Sequence, residues 1–428
     1  MHDIIIMGAG LAGCCLGALL SKSKMKTLIL EECTELGGRA KFNYFYGVPL
    51  DYGIHAILLG KKSSISAILN EHDRKINIID IGMSIYRDGK FREFIGPSLK
   101  STLRSELFNI REFLRVLRKS VFKRDRKALF EESLETWIKR AKIKGNIVDF
   151  LKCVSIGLLV QKDFNKVPIG QILSYLNLTL KTRGLVGYPE GGWMGIWKEL
   201  NKILEESSHC ELRLGEKINK INIDDGNLTL IETNKNIYEA KHYVCAFPPN
   251  LLLERGIIAE NQIPETIKNS MKECKMVYGL NIDFLLSKKI SDNKNLMFTI
   301  NPPTLSSFPS NATPELSEEF AQVFTCFHPI GTQKPDEKEL KELFDWLENY
   351  YNDIFPELKR STVHSRKLLV PVIGAENSIE YNPLNRLSVN PPEFKNLFFI
   401  GDCIKVPGAG GETAMRSAFK LWKILKKF

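Results

Sequence analysis

A run of isoleucines, Ile4-Ile5-Ile6, leads into Gly8-Ala9-Gly10-Leu11-Ala12-Gly13, and this junction restricts the fold more than any other stretch of the chain. Asp3 to Met7 predicts a buried strand, the small and apolar residues to about Ser21 predict a helix, and Thr27 to Leu30 predicts a second strand. Each glycine of the turn has its own mechanical reason. Gly8 permits the tight turn, Gly10 lets the backbone approach a pyrophosphate, and Gly13 lets helix and strand pack closely. Leu11 and Ala12 lie in the first helical turn, whose free N–H groups face the phosphate. Glu31 ends the second strand 18 residues after Gly13, where a carboxylate accepts from a ribose hydroxyl. Glu32 is the second candidate, set back by side-chain alternation at a strand end. The fold class is therefore α/β, with a Rossmann-like domain; nicotinamide and flavin dinucleotides both satisfy this much.

Two further segments narrow the choice. Leu36-Gly37-Gly38-Arg39 follows the acid, a glycine pair suited to close backbone approach, with Arg39 near phosphate or flavin oxygens. Asp51-Tyr52-Gly53-Ile54-His55 reads as a return strand carrying Gly53 where bulk would strike the cofactor. Towards the other end, Asn396 to Ile400 predicts a strand closed by Gly401-Asp402. Pro407-Gly408-Ala409-Gly410-Gly411-Glu412-Thr413 then opens a helix to Lys427. Asp402 suits a ribityl hydroxyl or the phosphate region, and the helix N-terminus suits the electron-rich edge of a flavin.

The combination of LEE-x4-GGR, DxGxH and the late GD segment resembles the FAD-dependent amine oxidase and phytoene desaturase superfamily. Gly53-Ile54-His55 is most similar to its carotenoid isomerase and retinol saturase branch. Amine oxidases of this group place a Trp and a Tyr just before the last helix. Here Lys405-Val406-Pro407-Gly408-Ala409-Gly410 is similar instead to the PGAG stretch of bacterial-type phytoene desaturases. The resemblance implies FAD, a glutathione-reductase-type domain built from 1–60, 185–250 and 365–428, and a discontinuous α+β substrate domain from 61–184 and 251–364. It also places the backbone of Ile218 at the adenine end. The implied chemistry is hydride transfer to flavin N5 from a long apolar, isoprenoid-like substrate, as a desaturase, isomerase or saturase. A flavin amine or amino-acid oxidase, a porphyrinogen oxidase and a flavin-bound scaffold are the alternatives. No second nicotinamide domain is visible, so the electron donor or acceptor is external and unidentified. His55, with His328 and His364 behind it, is the weak candidate for acid–base work.

In the middle of the chain, Tyr188 to Gly195 precedes a helix expected from Ile196 to about Glu206. Strands are expected at Cys210–Leu214, Lys217–Ile223, Leu228–Glu232 and Tyr243–Ala246, with Asp224-Asp225-Gly226-Asn227 as a hairpin turn. Asp283–Leu286 and Gln322–His328 alternate like strands, Asp336–Asp353 is helical, and Asn301 through Pro314 is a loop or lid.

The net charge of +10 is concentrated: ten Lys or Arg lie between Lys100 and Lys127, against Glu106, Glu112 and Asp125. From Leu103 to Phe122 the pattern predicts one helix. Its stripe of Leu107, Ile110, Leu114, Leu117 and Val121 is flanked by Arg104, Arg111, Arg115 and Arg118. Such a helix lies on an anionic membrane or, on the plainer reading, packs its stripe inward. No nucleic-acid-binding module accompanies the charge. Nine scattered cysteines show no metal-ligand spacing and suggest a reduced, intracellular protein, soluble or peripheral on the inner face of a membrane.

Overall fold

The computed structural model describes residues 2–54, 56–121 and 127–427. Five parallel strands form the first sheet, in the order Leu397–Phe399, Ala240–Cys245, His2–Met7 (β1), Thr27–Leu30 (β2) and Cys210–Arg213. Ile4 through Met7 are wholly buried, which is why this strand shows no polar alternation: a parallel sheet covered on both faces needs apolar residues on both. The helices Leu11–Leu20 (α1), Gly192–Glu205 and Gly410–Leu425 share one apolar cluster with it. A three-stranded antiparallel sheet, Ile218–Asp224, Asn227–Thr233 and Ile237–Tyr238, is appended. Its first turn has Asp225 and Gly226 both at positive φ, as a two-residue hairpin loop of this hand requires.

The helix expected from Ile196 begins at Gly192. Its first turn is held by a distant group, the Asp51 side chain, whose Oδ1 accepts from the Trp193 N–H at 3.1 Å. No local cap marks that start, and burying Trp193 beside Trp197 requires it.

A second sheet of seven strands runs in the order Thr362–Ile373, Val277–Leu286, Gln322–Gly331, Pro303–Ser307, Leu296–Ile300, Met83–Arg87 and Lys90–Ile95. It is antiparallel except where Leu296–Ile300 meets Met83–Arg87. One face carries Leu280, Ile282, Phe284, Phe324 and Leu369 against the helix Glu337–Ile354. The other carries Val277, Phe327, Leu368, Val370 and Val372 into a cluster with the helices Leu134–Ala141, Asn146–Leu159 and Ile169–Thr182 and with Ala409.

Residues 301–314 are not a lid. Pro303–Ser307 is an interior strand, and only short helical turns at Pro309–Ala312 and Pro314–Ser317 follow it. Thr304, which reads as a loop residue, is buried and satisfied: its Oγ1 bonds Thr299 Oγ1 at 2.8 Å and the Tyr351 hydroxyl at 2.6 Å. Pro303, lacking an N–H, takes the last rung of its ladder. The expected Asp51–His55 strand also fails, since Val48–Asp51 ends at the acid. The basic segment forms two helices, Leu99–Arg104 and Ile110–Val121, rather than one. Phe113 and Val116 face the core, while Ile110 and Leu114 of the expected inward stripe are exposed.

Gly13→Ala is expected to destabilise the protein by about 1–3 kcal/mol, the usual range for overpacking. The added methyl would lie 2.0 Å from the Gly8 carbonyl oxygen. Chemical denaturation of the variant checks this, and an unchanged midpoint would show that α1 does not need that close seat.

Candidate dinucleotide cleft

The first turn is built as its glycines require. Gly8 takes φ +109° and α1 starts from Gly10 with no side-chain cap and no acid in its first turn. The N–H groups of its first turn are therefore left to a ligand, and a Cβ placed on Gly10 would meet nothing within 4 Å. Glu31 curls back so that Oε2 accepts from the Ala9 N–H at 2.7 Å and Oε1 from the Cys33 N–H at 3.0 Å. Its carboxylate thus sits at the mouth of the turn with lone pairs to spare. Glu32 points elsewhere, to an ion pair with Arg255 at 2.8 Å. Ile218 opens the appended sheet, brought to the end of β2 by the Glu216 N–H donating to the Glu31 carbonyl at 2.8 Å.

Gly37 and Gly38 fold onto that turn. The Gly37 N–H donates to the Ala9 carbonyl at 3.1 Å, and a Cβ on Gly38 would lie 3.3 Å from Gly10 Cα. Both residues have positive φ, so the pair serves conformation as well as space. Arg39 then reaches Asp402, 363 positions away, through two parallel bonds of 2.7 Å. Asp402 Oδ2 also accepts from the Gly374 N–H at 2.8 Å. Burial alone would raise the Asp402 carboxyl, but Arg39 outweighs it and holds the group below the usual carboxylate range.

Two residues with no motif complete this knot. Arg386, buried, donates to the Asp402 carbonyl at 3.2 Å and to Asn377 Oδ1 at 2.7 Å, and Asn377 also accepts from Gln171. Both lie in an irregular stretch whose sequence gives no periodic signal.

The C-terminal helix contributes a second uncapped N-terminus. It starts after Ala409, and a Cβ on Gly411 would lie 3.2 Å from Leu11 Cδ2, so the two helix starts are neighbours. Gly401 and Gly408 sit at positive φ and Gly410 faces open space. Thr413 Oγ1 is buried without a hydrogen-bond partner, as a group awaiting a ligand would be. The Glu412 side chain has partners of its own. Its carboxylate accepts from Ser64 N–H at 3.0 Å, Ser64 Oγ at 2.8 Å and Arg416 Nε at 2.7 Å, so it staples helices together. Only its backbone is left for the cleft.

The remaining candidates scatter. Gly53, at φ +104°, and Ile54 approach the large sheet, where Val370 Cγ2 would lie 3.9 Å from a Cβ on Gly53. His55 lies outside the described residues. His328 faces the outer helix against Trp346, and burial depresses its pKa to about 4, so it is neutral. His364 stacks on Tyr46 at the far end of its strand. Neither enters the cleft.

Between the two sheets the wall is apolar. Leu368, Val370, Val372, Phe327, Ile54 and Val186 belong to the same cluster as Ala409. Below it the inner face turns polar: Arg366 pairs with Asp283 at 2.7 Å and donates to the Asp51 and Leu50 carbonyls. Asp51 is part-exposed as a residue, yet its Oδ2 is sealed from solvent without a partner. Burial pushes its carboxyl up to about 8.

Residues 6–72 match a family model described as an NAD(P)-binding Rossmann-like domain. The chain is similar to an uncharacterized protein of Methanocaldococcus jannaschii, 27% identical over 306 residues that span 64% of this chain and 71% of that one. An oxidoreductase from Methanosarcina mazei superposes with a TM-score of 0.79 at 17% identity, over 98% of this chain and 100% of that one. Putrescine oxidase with putrescine bound superposes with a TM-score of 0.70 at 14% identity, over 100% and 99% of the two chains. The α/β Rossmann-like fold is thereby established.

Arg39→Ala leaves Asp402 charged and poorly paired, and is expected to destabilise by about 1.5–3 kcal/mol, the range for charged hydrogen bonds. Asp402 titrates low in the folded protein, so the bond contributes above the unfolded carboxylate pKa of about 3.9 and fades as the pH falls through the folded value. The gap between variant and parent should therefore close in acid, as denaturation at several pH values would show. Asp51 has the opposite sign. Its folded pKa is raised, so the parent loses stability relative to Asp51→Asn as pH rises from about 4 to 8, by at most about 1.4 kcal/mol per unit. Parallel pH curves for the two proteins would refute the neutral carboxyl.

Proposed function

We propose that the protein is an FAD-dependent oxidoreductase acting on an apolar substrate. One observation carries the proposal: two uncapped helix N-termini, at Gly10 and Ala409, open side by side onto a floor of glycines. A single helix start would suit any phosphate. Two, joined through the Arg39–Asp402 pair, suit a long dinucleotide with anionic groups along its length.

The residues fit the cofactor from end to end. Glu31 offers a carboxylate to the adenosine ribose, with the Ile218 backbone on the adenine side. The first turn of α1 and Gly10 take the pyrophosphate, and Gly38, Arg39 and Asp402 border the ribityl chain. Bound FAD supplies hydride acceptance and donation, which no side chain here can replace. The protein's share is to hold, orient and keep dry. The N-terminus of the C-terminal helix places partial positive charge where an electron-rich ring edge is stabilised.

The wall of Leu368, Val370, Val372 and Phe327 supports an apolar substrate, of which a polyene or other isoprenoid is the best match. The proline–glycine stretch before the C-terminal helix, without an aromatic pair, supports the same reading. Oxidation of an amine is the second reading, favoured by the likeness to putrescine oxidase.

An absorption spectrum of the purified protein, followed by solvent extraction, tests this. Flavin bands with a co-extracted polyene are expected. Flavin without lipid, together with peroxide release on adding amines, would transfer the protein to the second reading. A colourless protein that takes up no FAD would overturn both. Gly10→Val, whose side chain would occupy the pyrophosphate position, is expected to purify folded and without flavin.

A further inference from the structure

The two helices of the basic segment repeat one six-residue pattern. Leu99-Lys100-Ser101-Thr102-Leu103-Arg104 and Ile110-Arg111-Glu112-Phe113-Leu114-Arg115 both read apolar, basic, two others, apolar, basic. At helical spacing this sets an apolar pair beside a basic pair along the same edge. Both edges face outward: Leu99 is 74% exposed, Leu103 55%, Ile110 47% and Leu114 49%. Four large apolar side chains exposed within residues 99–114 call for a covering partner.

The platform beneath them is well anchored. Val116 is buried, Phe113 packs with Phe108, and Phe108 with Phe94. Glu112 accepts from the Ile147 N–H at 3.1 Å, tying the second helix to Asn146–Leu159. Ser98 and Ser101 form a capping box that fixes the start of the first. The outward orientation is therefore set by contacts on the inner side.

The cations on this edge have no internal use. Among the described residues, Lys100, Arg104, Arg111, Arg115, Arg118 and Lys119 form no ion pair, although Glu106 is taken by Arg92 at 2.8 Å. Unpaired arginines beside exposed leucines match a surface that is anionic above and hydrocarbon below. A nucleic acid would use the charges and leave the leucines wet.

We infer that Leu99–Arg104 and Ile110–Val121 form a docking edge for an anionic lipid bilayer, with Leu99, Leu103, Ile110 and Leu114 inserted below the headgroups. The attachment is independent of the proposed reaction. The helices are too short to span and enter only the interface; among the described residues no helix is long and apolar enough to cross a membrane.

Co-sedimentation of the full chain with vesicles of phosphatidylcholine, with and without phosphatidylglycerol, tests this. Binding is expected only with the anionic lipid and should weaken as salt rises. Arg111→Glu, Arg115→Glu and Arg118→Glu together should lower it by about ten-fold or more. Leu103→Ser with Leu114→Ser, at exposed positions that leave the core intact, should lower binding with the charge unchanged. Equal binding to neutral vesicles, no binding to anionic ones, or full binding by the serine variant would each overturn the inference. Circular dichroism of each variant confirms that it is folded.

Discussion

The bidentate pair of Arg39 and Asp402 is the contact on which the rest of the cleft depends. It joins the glycine turn after β2 to the loop after the last strand, and through the Gly374 N–H it also seizes the end of the longest strand of the second sheet. Three segments remote in sequence thus meet at one carboxylate. Burial would neutralise that carboxylate; Arg39 keeps it ionised, so the three-way junction is electrostatic rather than apolar. Arg386 adds a second cation from below, which fixes the irregular stretch after Ile373.

Much of the Rossmann-like frame was legible in sequence because its constraints are local. Gly8 and Gly13 must be glycine for reasons contained within one turn, and β2 ends where its apolar run ends. Asp225-Gly226 announces its hairpin in the same way. What escaped was decided by distant partners. The helix at Gly192 starts early because Asp51, far away in sequence, caps it. Thr304 looked like a loop residue because the hydroxyls of Thr299 and Tyr351 that satisfy it are invisible in one dimension. Glu412 lay in a motif, but Ser64 and Arg416 redirected its side chain.

The inner face of the second sheet shows a similar division of labour. On the strand Thr362–Ile373, alternate residues serve different cores: Leu368, Val370 and Val372 look inward, and Leu369 supports the outer helix. Moving down the same inner face, the wall passes from aliphatic residues to the Arg366–Asp283 pair and the neutral Asp51. The face is thus graded, with hydrocarbon at one end and buried polar groups at the other.

The order of strands in the first sheet has a consequence for synthesis. β1 and α1 appear early in the chain and carry no polar face, yet the neighbours of β1 on one side are residues 240–245 and, beyond them, 397–399. Until those residues emerge, β1 is covered on one edge only, by β2, and its other edge has no partner. Loop closure over such distances is slow, and the exposed apolar surface is the kind that aggregates. The first sheet is therefore completed only when its last strand, Leu397–Phe399, has been made. A chain cut short before residue 397 would lack the edge strand, the carboxylate partner of Arg39 and one of its two helix starts together.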